Sequence, residues 1–297
     1  MSRPVAEAVL GIALLSVMDA IIKGLVQDLA VVQVAFLRYV VGSAVMVALA
    51  TRWGPGWPSP RTIRANAVRA VLVVVTATSF FYGIGALPLA EALVLSFVSP
   101  VFTAMFAVAL LGERLDRRIG AALGAGFAGV LLIVAGGGHG ASGFGGGGTL
   151  LGVVAILLSS VTYAASNVLL RARAQRDPLL HIVLVQNVAP GLMLAVPAFL
   201  FWRTPHLGEA WRLALVGCLG VAGHLLLARA YAGAEATRLA PLEYTSLIWA
   251  TLIGYLAFAE VPTLWVFAGG TLIVAGAAIA SRRRSAVAAA PAVIDPD

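Results

Sequence analysis

Ten apolar runs, each about twenty residues long, fill almost the whole chain and are separated only by short charged, proline-bearing or glycine-bearing stretches. No other feature restricts the fold so severely. In hydrocarbon every backbone N–H and C=O must find a partner within the protein, so runs of this length cross as α-helices. They lie near 6–26, 32–51, 67–86, 89–111, 119–136, 149–171, 179–202, 211–233, 239–258 and 263–281. Only 11% of residues are charged, where soluble domains carry about a quarter. The expected fold class is therefore an all-α integral membrane protein of ten transmembrane helices, with no room for a soluble domain.

The third and fourth runs are nearly continuous, and Leu87-Pro88 with Glu91 marks the turn between them; without that turn the count would be nine. The first run, 5–26, follows Arg3 but carries Asp19 and Lys23 and has no small-residue cleavage site, so it reads as helix 1 rather than a signal peptide. Nineteen of the twenty cations are arginine, scattered through short loops, which fits membrane topology better than nucleic-acid binding. With the N-terminus inside, fifteen arginines fall in inner segments and only Arg203 and Arg212 in outer ones, while Lys23, Arg38 and Arg229 lie in spans. A miscounted helix would scramble that bias, so ten spans with both termini cytoplasmic is the expectation. The single Cys218 excludes a disulfide or thiol metal cluster, and neither metal nor cofactor is expected.

The two halves align on one another. A shift of 147 brings Glu113 onto Glu260, Gly129 onto Gly276 and Ser99 onto Ser246; a shift of 144 brings Asp19 onto Tyr163 and Lys23 onto Asn167; and 148 brings Arg38 onto Gln186. This predicts a first repeat over 1–136, a glycine-rich linker over 137–148, a second repeat over 149–281 and a tail over 282–297. Five helices is an odd number, so the second copy is inverted, the architecture of many secondary transporters with a midplane site.

Several local patterns carry a resemblance to a known family. They are Arg38 early in helix 2, Leu87-Pro88-Leu89-Ala90-Glu91-Ala92 before helix 4, and Ser99-Pro100 within it. Leu111-Gly112-Glu113-Arg114 at its end and Ala240-Pro241-Leu242-Glu243-Tyr244 in helix 9 complete the set. With the length and repeat, these make the chain resemble the drug/metabolite transporter superfamily, in its ten-helix EamA-type family. The second copy departs from the first, with Phe258-Ala259-Glu260-Val261 and Leu247 in the places of Leu-Gly-Glu-Arg and Pro100. The resemblance implies a bacterial inner-membrane carrier, and the members most like this chain export amino acids, aromatic ones included, or move other metabolites.

Ionisable groups inside spans are costly, roughly 2.5–3.5 kcal/mol each, and face a cavity or a partner. Asp19 and Lys23, four residues apart, share a helical face that Arg38 can join, giving a gating or structural cluster. Glu243, just after Pro241, can bind a substrate amine or pair with Arg229. Glu91, Glu113 and Glu260 lie at helix ends and read as structural. Candidate substrate-binding residues are Tyr82, Phe97, Ser99, Tyr163, Asn167, Gln186, His224, Glu243, Tyr244 and Trp249, an apolar wall with oriented polar groups. Tyr82 and Tyr163 lead this set through the resemblance.

Trp53, Trp57, Trp202, Trp211 and Trp265 read as interface anchors. Gly120-xxx-Gly124, with Gly126, Gly129, Gly269, Gly270 and Gly276, reads as close helix packing, and a homodimer contact is one use for it. The run 136–148 has no Gly-Lys-Ser/Thr ending and so is no phosphate loop. Helices 4 and 9, beside short helices 3 and 8, are expected to move. The expected function is export of an amino acid or similar amphipathic metabolite by alternating access. A channel-like facilitator, or a carrier of nucleosides, vitamins or sugars, is the alternative. A membrane enzyme is disfavoured because no HExxH, paired histidines or nucleophile with adjacent base is present.

Overall fold

The computed structural model describes residues 3–53, 56–87, 92, 95–115, 117–136, 147–258 and 264–281. Within them run α1 (Arg3–Leu25), α2 (Val31–Trp53), α3 (Pro60–Ala86), α4 (Ser99–Leu111), α5 (Arg117–Gly136), α6 (Gly147–Ala174), α7 (Leu179–Leu200) and α8 (Leu207–Gly233). A helical turn, Ala236–Leu239, and a 3-10 turn, Ala240–Tyr244, then lead into α9 (Thr245–Phe258), and α10 (Leu264–Ser281) follows. Six helices, α1, α2, α3, α6, α7 and α8, are long and apolar enough to cross a bilayer. The protein is an all-helical, multi-pass membrane protein. Pro88, Glu91, Glu260, most of the glycine-rich linker and the tail lie outside the described residues.

Two helices start earlier than the apolar runs predict, and local capping explains both. The Ser59 Oγ accepts from the Thr62 N–H at 3.2 Å and Pro60 takes the first helical position, so α3 begins seven residues before its hydrophobic run. At α8 the His206 Nδ1 accepts from the Glu209 N–H while the Glu209 carboxylate accepts from the His206 N–H at 2.9 Å, a reciprocal box. Each helix has 27 residues. The expectation of short helices 3 and 8 is thereby corrected: polar first turns conceal two of the longest helices in the fold.

The main packing pairs are α1 with α8, α3 with α6, α2 with α7, α5 with α10, α2 with α8, α4 with α6, α3 with α7, and α1 with α9. Exchanging each helix for the one five places along returns the same set: α1/α8 becomes α6/α3, and α4/α6 becomes α9/α1. Close approach is glycine-dependent at α1/α8, where a Cβ on Gly11 would meet the Gly223 carbonyl at 3.0 Å. The outer surface is a belt of exposed apolar side chains such as Leu192, Val196 and Phe199, and Trp57, Trp202, Trp211 and Trp265 are exposed at or beside helix ends.

The α5 glycines divide differently from the sequence expectation. A Cβ on Gly120 or Gly124 would meet nothing within 4 Å, whereas one on Gly126 would fall inside the buried Tyr244 ring and one on Gly276 would meet the Ala122 carbonyl at 2.9 Å. Within the chain the tight seam therefore runs through Gly126 and Gly276, not through Gly120-xxx-Gly124. Gly126→Ala is expected to destabilise by about 1–3 kcal/mol through overpacking. Gly120→Ala and Gly124→Ala should be neutral or slightly stabilising, since alanine is the better helix former. Melting curves of the three variants in detergent check this; equal melting temperatures would contradict the seam.

Candidate functional site

A cavity of about 470 Å³ lies between α1, α2, α3, α4, α6, α7, α8 and α9, while α5 and α10 contribute nothing to its described wall. On α3 the lining residues Arg69, Val73, Thr76, Ala77, Phe80, Phe81 and Ile84 recur at spacings of three and four, one continuous stripe of the helix. The lining extends past the end of α1 to Gln27 and along α3 to Ile84. At the other face it stops at Ile12 and Arg69, each nine residues into its helix, leaving about 13 Å of packed helix beneath. Along α1 and α3 the cavity thus reaches the face where they end and is shut off from the face where they begin, while on α6 its lining runs to Leu170, four residues before Ala174.

One cluster holds the shut face together. α4 ends at Gly112, which has φ of 66°, a left-handed conformation that favours glycine. That turn directs the Glu113 carboxylate onto the backbone N–H groups of Ala236 at 3.1 Å and Thr237 at 2.9 Å, the start of the turn leading to α9. The Arg171 guanidinium lies 3.6 Å from Glu113 and donates to the Tyr231 carbonyl at 2.6 Å and the Ala232 carbonyl at 3.2 Å, at the end of α8. A carboxylate thus sits on a helix N-terminus and a guanidinium on a helix C-terminus, each matched to the local dipole. Four elements, α4, α6, α8 and the start of α9, meet there.

Deep in the cavity, Glu243 is delivered by the 3-10 turn that Pro241 opens. Its carboxylate accepts from the Asn167 Nδ2 at 3.0 Å, the Ser99 Oγ at 3.3 Å and the Tyr231 hydroxyl at 3.4 Å. Arg69 is only 3% exposed; its Nε donates to the Ser166 carbonyl at 3.3 Å and its Nη2 to the Gln186 Oε1 at 2.7 Å. Arg38, also buried, donates from Nε to the Met18 sulfur at 3.2 Å and lies 4.6 Å over the Tyr39 ring, with Gly220 giving it room. The His224 Nδ1 bonds to the Gly220 carbonyl at 2.6 Å. No group of three or more metal-ligating side chains occurs among the described residues.

The sequence profile of the EamA-like transporter family matches this chain twice, over residues 5–135 and 150–282. The chain belongs to the EamA-like transporter family. It is a membrane transporter of the drug/metabolite transporter superfamily. The pseudopaline exporter CntI of Pseudomonas aeruginosa is 30% identical over 281 residues, 93% of this chain and 95% of its own. The S-adenosylmethionine uptake transporter of Rickettsia prowazekii is 23% identical over 262 residues, 87% of this chain and 85% of that protein. Human solute carrier family 35 member G1 is 28% identical over 268 residues, 86% and 73% of the two chains. One solved crystal structure superposes with a TM-score of 0.77 over 94% of this chain and 98% of its own at 23% identity, so the fold is shared.

On this EamA-type fold, Phe97, Ser99, Tyr163, Asn167, Gln186, His224 and Glu243 line the cavity, as do Asp19, Lys23 and Arg38. Tyr82 does not. At 100° per residue it falls opposite the α3 stripe and is 41% exposed on the outer surface. Tyr244 is fully buried outside the cavity, its ring 5.7 Å from Phe97 and its backbone neighbour Glu243 taking the inward position. Trp249 packs against the larger apolar core instead. Arg229, four residues from the end of α8, is exposed, and Glu243 is held by neutral donors rather than by it.

Sequence alone groups Arg69 with the loop arginines, and the structure puts it in the cavity wall. Ser59-Pro60 was the available signal: a cap followed by proline starts α3 early enough to bury residue 69. The inner arginines then number one fewer, and the bias is unchanged in sign.

Proposed function

We propose that this protein is a secondary transporter for an amino acid or a similar small zwitterionic metabolite, working by alternating access. The observation that carries the reading is the central cavity, open at one face and clamped at the other by Glu113 and Arg171, with carboxylate, guanidinium and aromatic groups in its lining. Its volume suits a small metabolite. A clamped face favours alternating access over an open channel.

The halves 1–136 and 149–281 act as inverted five-helix repeats around this cavity. The self-mapping helix pairs support that reading, as does the presence in the wall of both members of Asp19/Tyr163, Lys23/Asn167, Arg38/Gln186 and Ser99/Ser246. The arginine distribution supports both termini in the cytoplasm of a bacterial inner membrane, which makes the open face the outer one. Export is the direction the resemblance favours, and the relative CntI is an exporter.

Flux in proteoliposomes tests this, with labelled amino acids offered singly, with and without a pH gradient. Saturable flux of at least one amino acid is the expected result. Flux only of nucleosides, vitamins or sugars would overturn the substrate class, and flux that never saturates would overturn alternating access.

A further inference from the structure

Arg69 and Glu243 both line the cavity, and their hydrogen bonds among the described residues go to neutral partners only. Glu243 is met by an amide, a serine hydroxyl and a tyrosine hydroxyl; Arg69 by a backbone carbonyl and the Gln186 amide oxygen. None of the ion pairs among the described residues includes either. A guanidinium carries five N–H groups, and the two bonds here leave three without an acceptor among the described residues. Tyr163 lines the same cavity, and Tyr231 donates to Glu243.

Charges buried in a membrane protein are paired or face their ligand. Here each is held in place by neutral dipoles, and each borders the same cavity. We propose that Arg69 is the carboxylate-binding residue of the transport site and Glu243 its ammonium-binding partner, so that the substrate bridges α3 and the start of α9 as a zwitterion. Asp19 and Arg38, which line the cavity from α1 and α2, are not needed for this bridge. The guanidinium fork suits a carboxylate in two-point contact, which an ammonium at this position would not provide. This rests on the transport reading above and adds which end of the substrate meets which helix.

The test is ligand-dependent melting of the detergent-solubilised full chain. Each of the twenty amino acids is screened, and the one that stabilises most is compared with its decarboxylated amine and its deaminated acid. Binding of any ligand to the folded state raises the melting temperature in proportion to occupancy, so apparent affinities follow from titration. In Arg69→Gln the acid should lose its effect, by about tenfold or more in apparent affinity, while the amine keeps it. In Glu243→Gln the pattern should reverse. If Arg69→Gln does not fold, Arg69→Lys carries the test: it keeps the charge but not the fork, so the acid weakens and the amine does not. An acid that stabilises Arg69→Gln as well as the parent overturns the assignment, as do variants that lose both analogues alike. If only solutes lacking one of the two charges bind and are carried, the assignment and the zwitterionic substrate class fall while alternating-access transport stands. If the folded parent carries no solute at all, both fall.

Discussion

Glu113→Ala is expected to lower the melting temperature by about 6–10 °C and to loosen the shut face of the cavity. The size follows from what the carboxylate does. It is the charge partner of Arg171, both side chains being nearly buried, and breaking such a pair leaves an uncompensated charge at a cost of about 3–5 kcal/mol. It also satisfies two N–H groups at the start of the turn leading to α9, which have no intrahelical acceptor at that position. Glu113→Gln keeps an acceptor for the turn but loses the charge and should fall between the parent and Ala.

A local readout separates opening from general softening. Thr237 is fully buried, and its hydroxyl has no partner among the described residues, so Thr237→Cys removes no hydrogen bond. In a Cys218→Ser background the new thiol should label slowly in the parent and about tenfold faster with Glu113→Ala. An unchanged labelling rate together with an unchanged melting temperature would mean that the clamp does not close this face. The clamp also touches the site: Tyr231 gives its carbonyl to Arg171 and its hydroxyl to Glu243. A substrate that displaces the Tyr231 hydroxyl therefore acts one residue away from the lock.

Bilayer physics made the helices legible. A run that must satisfy its backbone internally and span about 30 Å can hardly be anything else, so each of the ten apolar runs holds a helix among the described residues, although α3 begins seven residues before its run and α4 ten residues after the start of its own. Sequence and structure part where a polar stretch lies within the bundle. Arg61, Arg64 and Arg69 made the start of α3 look like loop, although Ser59-Pro60 says otherwise, and the group that lines the cavity was lost with the two that do not. Tyr82 failed for the opposite reason, since a resemblance put it in the site while its phase on α3 put it outside. The role of Glu113 at a helix end was readable, but not its partners, which lie 123 and 124 residues along the chain and depend on how α4 meets α9.

Glu243→Gln is expected to reduce flux by about 100-fold while leaving the fold nearly as stable as the parent. Glutamine keeps one oxygen for Asn167 and Tyr231, and the serine hydroxyl at Ser99 can turn to accept from the new amide, so the local bonds survive and only the charge is lost. Glu243→Ala removes the acceptor altogether. It should lose flux to the same degree and in addition about 1–3 kcal/mol of stability, because the Asn167 amide and the Tyr231 hydroxyl are left unpaired. The two variants thus divide the carboxylate into a charge that serves the substrate and an acceptor that serves the bundle. Melting curves beside proteoliposome flux for parent, Gln and Ala read both quantities. Flux retained in Gln and lost in Ala would make Glu243 a structural acceptor with no electrostatic part in transport. Flux lost in both, with stability lost only in Ala, is what a carboxylate aimed at a cationic group of the substrate requires, since a charge kept in a span against the cost of burying it, and in no ion pair given among the described residues, has its counterion in the cargo.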